Sequence, residues 1–407
     1  MIDQFAGGNI ELSNLQENFS FAGVSCGLKL SGKKDLGAIF CKKKALTFAV
    51  FTQNSVAAAP VKISKKRLNK NKFIRAILVN SGNANAATGI DGFNDAIEIS
   101  KNFSDLIGIE EDEVLLASTG IIGVRLDKSK IISKIPALVD RLTLNNHLDF
   151  KESIMTTDRF EKEYFETISS KECGGIYIRA YAKGCGMICP NLATMLVFIT
   201  SNINADEKIL KEMFINCVNK SFNAISVDGD TSTNDSVFFM TDMSCPENTI
   251  NNREDNLIIE FEKALNRCCI KLANDMVRDG EGSTKILEVR AIGFANEENA
   301  KKVASNIAKS TLVKCAFFGS DPNWGRILCA AGNTNLIDED SVSIKIFDTE
   351  VYNKRPINFD KESLSKKISD NERVIIEIYN NSGDKSFTFY GCDLTFDYVK
   401  LNSEYST

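Results

Sequence analysis

Apolar positions along the chain change period several times, and each change marks an element. In the first half, "ALTFAVFTQN", "IRAILVNSGNANAATGIDGF" and "DEVLLASTGIIGV" each begin as a short apolar run and end in polar or glycine-rich residues, the pattern of a strand running into a loop. "NDAIEISKNFSDLI" has helical spacing, and "DKSKIISKIPALVDRL" predicts a second helix interrupted near Pro136. In the second half, Ile209, Leu210, Met213, Phe214, Cys217 and Val218 recur at helical intervals behind the acidic start of "NADEKILKEMFINCVNKSF", which predicts one core-facing side. "LIIEFEKALNRCCIKLANDMV", stopping at Gly280, and "NEENAKKVASNIAKSTLV" repeat that period. Near the C-terminus "SVSIKIFD", "RVIIEIYN" and "SFTFYGCDLTFDYVKLN" alternate as half-buried strands do. No fixed-period repeat or low-complexity linker interrupts the mixture. The pattern predicts an α+β chain with helices on the faces of mixed sheets.

A length of 407 residues exceeds one minimal core, so two layered halves or two domains are expected, large enough to enclose a site. Hydrophobic residues at 43% and charged residues at 25% exclude a disordered or fibrous chain. A formal net charge of -5 removes any general attraction to nucleic acid or an anionic membrane, which leaves a small molecule as the expected partner. No run of 18 apolar residues occurs, and "MIDQFAGGNIELSN" has no basic segment followed by an apolar stretch. The twelve cysteines therefore read as reduced thiols of a cytoplasmic protein. There is no CxxC, the closest groupings being Cys185 with Cys189 and Cys268 with Cys269, so a zinc site has little to build on. The single histidine, His147 in "RLTLNNHLDF", reads as a surface residue, which leaves Ser-His or Cys-His chemistry without its base.

The stretch "KGCGMICPNLATMLVFIT", residues 183 to 200, places Thr194 where a glycine- and proline-containing loop enters an apolar run. From the local pattern alone, Thr194 is most plainly a β-branched residue opening a strand. The alternative is chemical. A threonine hydroxyl needs a base, and an N-terminal threonine supplies its own α-amine, of unperturbed pKa about 7.7 to 8.0. An internal Thr194 would gain that amine if its hydroxyl attacked the Ala193 carbonyl and water then hydrolysed the ester. Four more stretches read as loops at strand ends, where sites concentrate: "NSGNANAATG" (80 to 89), "STGIIG" (118 to 123), "SVDGDTSTND" (226 to 235) and "GSDPNWGRI" (319 to 327). Backbone N–H groups at Thr119 and Gly120 are candidates for holding an oxyanion. "RDGEGSTK" lacks the phosphate-loop spacing and "GCG" lacks the rest of GxGxxG, so nucleotide binding has weak support.

Taken together, "KGCGMICPNLATML", "NSGNANAATG", "STGIIG", "IMTTD", "SVDGDTSTND", "DGEGSTK" and "DPNWGRI" closely resemble the ornithine acetyltransferase (glutamate N-acetyltransferase, ArgJ) family of arginine biosynthesis, in order from "FAGVSCGLK" to "YVKLNSEYST". The resemblance implies a layered αββα-type sandwich of the self-cleaving N-terminal-nucleophile kind. It also implies an α chain of residues 1–193 and a β chain of 194–407, cut between Ala193 and Thr194, that form one catalytic unit and double to α2β2. Thr194 falls at the nucleophile position, and Thr119 and Gly120 at the oxyanion hole. Thr157, Lys183, Glu281, Asn402 and Thr407 fall, with Thr194, at positions that contact substrate. The implied reaction moves an acetyl group from N-acetyl-L-ornithine to L-glutamate through an acetyl-threonine, without metal or organic cofactor, and leaves open acetyl-CoA as a second donor. Two rivals follow from the same residues: an aminopeptidase in which water takes the acyl group, and a processed but inactive binding protein. Ser55, Cys185 and Ala87 depart from the basic residue, alanine and cysteine usual in the family, and none is a carried-over catalytic position.

Overall fold

The computed structural model describes residues 18–170, 174–188 and 195–404, so the expectations placed on Ala193, Thr194 and Thr407 lie outside the described residues. The strands, in chain order, are β1 (Phe19–Val24), β2 (Leu36–Phe51), β3 (Phe73–Asn83), β4 (Val114–Ile121), β5 (Lys162–Ile168), β6 (Ile176–Lys183), β7 (Leu196–Ala205), β8 (Ile225–Ser226), β9 (Ser236–Ile250), β10 (Ile286–Phe294), β11 (Ser343–Ile346), β12 (Thr349–Asn353), β13 (Arg373–Tyr379) and β14 (Lys385–Cys392). One sheet has the order β4-β3-β2-β9-β7-β6-β5 with β1 beside β2, and the other β12-β11-β13-β10-β14-β8. Both are mixed: β3 with β4, β7 with β9, β10 with β13 and β8 with β14 are parallel, and the other neighbours antiparallel. The chain is therefore α+β with helices layered on two mixed sheets, as the periodicity predicts.

The first sheet is buried on both faces, which is why β7 and β9 read as continuous apolar runs. Val197, Ile199, Val237 and Phe239 pack with the helices Glu207–Lys220 and Asn256–Arg278, through Leu210, Phe214 and Phe261 among others. Their neighbours Leu196, Phe198, Phe238 and Met240 face the other way, onto Phe21, Phe150 and Tyr181. At about 1.5–3 kcal/mol for each large apolar side chain, this double burial ties β7 and β9 firmly into the sheet. The helix Asn256–Arg278 touches β5 and β6 of the first sheet and β14 of the second, so it lies between them. The second sheet packs Leu287, Val289, Ile376 and Ile378 on Val303 and Ile307 of the helix Glu297–Lys309. Helix starts follow side-chain chemistry: Asp206 accepts from the N–H groups of Lys208 and Ile209, and Asp255 from that of Leu257.

Four expectations need correction. The helix Lys128–Asp140 runs through Pro136 without interruption, because Ile131, Ile135 and Leu138 carry one buried stripe past the exposed proline. "NEENAKKVASNIAKSTLV" is two helices, Glu297–Lys309 and Thr311–Phe318, divided where Ser310 caps the second by accepting from Val313 N–H. "SFTFYGCDLTFDYVKLN" is strand only to Cys392 and then becomes the helix Phe396–Glu404, begun by Thr395 Oγ1 accepting from Tyr398 N–H at 3.2 Å. Finally, among the described residues nine cysteines are free thiols but Cys245 is disulfide-bonded, so the cysteines are not uniformly reduced. Among the described residues no helix is long and apolar enough to cross a membrane.

Candidate active site

Strand β4 ends at a close approach. The β3–β4 register slips between Gly82 and Asn83, and Gly120 opposite has φ +132° with its missing Cβ only 2.3 Å from the Gly82 carbonyl carbon. Only glycine satisfies both the dihedral and the contact. The preceding residue, Thr119, is buried, and its hydroxyl accepts from Lys183 Nζ at 3.2 Å.

Lys183 is the last residue of β6, buried and paired in register with Leu196, the first residue of β7. A buried ammonium needs a counter-charge, and Asp158 Oδ2 is 4.0 Å away. Asp158 is itself wholly buried at its side chain, where Oδ1 accepts from Lys162 Nζ at 2.7 Å and from Gly184 N–H at 2.7 Å, while Oδ2 accepts from Thr156 N–H at 3.0 Å. Burial by itself would raise this carboxyl, but the Lys183 and Lys162 charges outweigh it and hold Asp158 below the usual carboxylate range. Lys162 also bonds Asp279 at 2.5 Å, and Arg159 Nε closes that group from the rim at 3.0 Å.

Glu281 lies across the cleft. Its Oε1 accepts from Thr157 Oγ1 at 3.0 Å and its Oε2 from Asn402 Nδ2 at 3.0 Å, while its own N–H donates to Cys185 O at 2.9 Å. The carboxylate lies over Gly186, where a Cβ would come within 2.5 Å of Oε2. Thus Thr119, Gly120, Thr157, Lys183, Glu281 and Asn402, expected from scattered strings, line one cleft. Cys185 lines it too, 3.0 Å from Thr157 Oγ1, and burial, then Asp158, pushes its thiol up to about 12. At neutral pH that shift favours the thiol over the thiolate. Ser55 and Ala87 are exposed, so Cys185 alone of the three departures bears on the site.

Acidic side chains grip the backbone on both sides of the Ala193–Thr194 step. Before it, Asp228 accepts from Met187 and Ile188 N–H at 2.5 and 2.9 Å, and Met187 sits at φ +55°, uncommon for a side-chain-bearing residue. After it, Asp235 Oδ1 accepts from Met195 N–H at 2.9 Å. Burial raises the Asp228 carboxyl and pushes Asp235, which is fully buried, well above the usual range. Asn234 ties the same loop to β4 and the end of β3 by donating to Ala84 O and Ser118 O at 2.7 and 2.9 Å. Sequence reasoning picked out "SVDGDTSTND" as a loop but gave these residues no role. The available signal was acidic and amide residues concentrated between two apolar runs. "GSDPNWGRI" goes elsewhere: Asn323 caps the helix Trp324–Gly332, and Trp324 stacks on Tyr352 at 5.1 Å. His147 is half-buried and stacks on Tyr181 at 6.0 Å rather than standing free on the surface. Asp158, Cys185 and Asp279 could bring ligand atoms within 4.8 Å of one another, but Lys162 and Arg159 already occupy the two carboxylates.

The ArgJ family profile matches residues 20–407. The chain is 39% identical over 395 residues to the arginine biosynthesis bifunctional protein ArgJ of Bacillus thuringiensis subsp. konkukian, covering 96% of this chain and 95% of that protein. Among solved structures it is similar to ArgJ of Bacillus halodurans, with 38% identity, a TM-score of 0.49, and coverage of 51% of this chain and 98% of that one. It is also similar to the ornithine acetyltransferase of Mycobacterium tuberculosis complexed with ornithine, with 30% identity, a TM-score of 0.38, and coverage of 44% and 93%. The chain belongs to the ArgJ family and is an acyltransferase of arginine biosynthesis.

Proposed function

We propose that the protein cuts itself between Ala193 and Thr194 and then transfers acetyl groups from N-acetyl-L-ornithine to L-glutamate. The observation that carries the reading is the convergence of Thr119, Gly120, Thr157, Lys183, Glu281 and Asn402 on one cleft at the mouth of β6 and β7. In processing, Thr194 Oγ attacks the Ala193 carbonyl carbon, the Ala193–Thr194 C–N bond breaks, and the hydroxyl proton passes to the departing nitrogen. Water then hydrolyses the ester, leaving a carboxylate on Ala193 and a free hydroxyl and α-amine on Thr194. The acid side chains that hold Met187, Ile188 and Met195 support this, since they fix the described backbone on either side of that step.

In turnover, the same hydroxyl attacks the acetyl carbonyl, the α-amine takes its proton, and the oxyanion rests on the Thr119 and Gly120 region. Collapse breaks the amide, the proton goes to the leaving nitrogen, and ornithine departs. The amino group of glutamate then attacks the acetyl-threonine, N-acetylglutamate leaves, and Thr194 regains its proton. Lys183 supplies a cation for a substrate carboxylate, and Glu281 an anion for an amino group, within one pocket. Thr407 belongs to the same substrate set. Residues 1–193 and 194–407 remain one unit, doubling to α2β2, and acetyl-CoA is the second donor to assay. Initial rates test the scheme. Ping-pong transfer gives parallel double-reciprocal lines against the two substrates, and intersecting lines mean direct transfer in a ternary complex.

A further inference from the structure

Asp230 brings to the cleft a carboxylate that no described group engages. Among the described residues, the charged side chains lining the cleft are Lys183, Asp228, Asp230 and Glu281. Three of them are committed. Lys183 donates to Thr119 and faces Asp158, Asp228 accepts from the N–H groups of Met187, Ile188 and Asp230 at 2.5, 2.9 and 3.2 Å, and Glu281 accepts from Thr157 and Asn402. Asp230 is exposed, and its only described hydrogen bond is the one its backbone N–H gives to Asp228. That bond fixes where the side chain starts. Gly229, the residue before, has φ +90°, a conformation that favours glycine, and the turn it makes brings Asp230 N–H back onto Asp228. The Tyr398 phenol, also in the lining, is pushed up by burial and then by Asp228, Glu281 and Asp230, so Asp230 acts on the same part of the cleft as Glu281.

N-acetyl-L-ornithine and L-glutamate each carry an α-carboxylate, which suits Lys183. They differ at the end of the side chain, where the first has an ammonium and the second a carboxylate. Resting on the acetyl-transfer reading, we propose that Asp230 is a specificity-determining residue that pairs with the side-chain ammonium of N-acetyl-L-ornithine. Glu281, fixed by Thr157 and Asn402, then serves the amino group of glutamate. An anion at the far end of the pocket attracts the donor and opposes the side-chain carboxylate of the acceptor, so it separates two substrates that are alike elsewhere. An exposed carboxylate without a partner contributes little to folding, and its charge can be removed without losing the cleft.

Asp230→Asn is the discriminating variant, because it keeps the backbone N–H and the shape of the side chain and removes the charge. Denaturing intact mass, the thermal midpoint, and kcat/KM for N-acetyl-L-ornithine and for L-glutamate are measured on wild type, on Asp230→Asn and on Asp230→Glu, which restores the charge. The expected result is that both variants are cut and melt within a few degrees of wild type. The Asn variant loses roughly tenfold in kcat/KM for the donor, its value for glutamate is unchanged or higher, and the Glu variant recovers most of the donor loss. A donor value within about twofold of wild type in the Asn variant overturns the proposal. Equal falls for donor and glutamate also overturn it, in favour of a structural role, as do variants that are uncut or unfolded. If wild type itself is uncut or transfers no acetyl group, the functional reading fails and takes this inference with it; a cut, active wild type beside an unaffected Asn variant removes the inference alone.

Discussion

Lys183 and Glu281 bring opposite charges into one cleft by different means, one buried at a strand end beside Asp158 and the other held at the rim by two neutral donors. On the proposed reading, replacing Lys183 with Ala removes a desolvated substrate contact, a loss of roughly 2–5 kcal/mol, so kcat/KM is expected to fall at least about tenfold with cleavage retained. Glu281→Ala behaves alike, and steady-state rates beside denaturing gels check both. Asp158→Asn acts on stability instead, because it leaves the buried Lys183 ammonium without its carboxylate and Lys162 with Asp279 alone, at a cost of roughly 3–5 kcal/mol. The folded pKa of Asp158 lies below its unfolded value of about 3.9, so its contribution is complete above that value and is lost as pH falls through the folded one. Urea midpoints followed downward from pH 6 then decline more steeply for wild type than for the variant. In the sequence Lys183 and Glu281 look like solvated charges, and only the resemblance singles them out. Asp158 stood inside "IMTTD" with no assigned part, because the sequence shows its neighbours Thr156 and Lys162 but not Lys183 and Gly184, which reach it from the end of β6.

At the scale of elements, the C-terminal helix Phe396–Glu404 buries no residue of its own, yet it presents Asn402 to Glu281. Its place depends on the turn at Gly282, which has φ +68° and where a Cβ would fall 2.4 Å from Tyr398 N, and on Asp393, which accepts from Thr284 and Lys285 N–H at 2.9 and 3.0 Å. Gly282→Ala adds a left-handed penalty of about 1–2 kcal/mol and pushes the helix outward. The expected outcome is a donor KM raised severalfold with only a modest change in kcat. Alternation read through "SFTFYGCDLTFDYVKLN" missed this helix because its apolar residues Phe396, Val399 and Leu401 stay exposed and leave no buried stripe. The period was reliable where one face is buried, as in Glu207–Lys220, and the Pro136 signal failed where packing carried a helix through.

Across the whole molecule, the step expected to be cut lies within the sequence of one shared sheet, since β6 before it pairs with β7 after it and β7 pairs with β9. Cleavage there leaves two chains held by a continuous ladder and by the cores on either face, so they separate only when the fold is lost. Size-exclusion under native conditions returns both chains together, and a denaturing gel returns two. The α+β class was legible from the changes of period. The strand order was not, because β9 enters between β2 and β7 from distant sequence.

The central claim is that Thr194 is made by cleavage and then carries the acetyl group. Denaturing intact-mass spectrometry of active protein, before and after incubation with N-acetyl-L-ornithine alone, tests it most directly. The account predicts two chains, the second beginning Thr-Met-Leu-Val, and one added acetyl group on that second chain after donor treatment. A single uncut chain that turns over acetylornithine and glutamate, or a cut enzyme whose second chain gains no acetyl group, would contradict it.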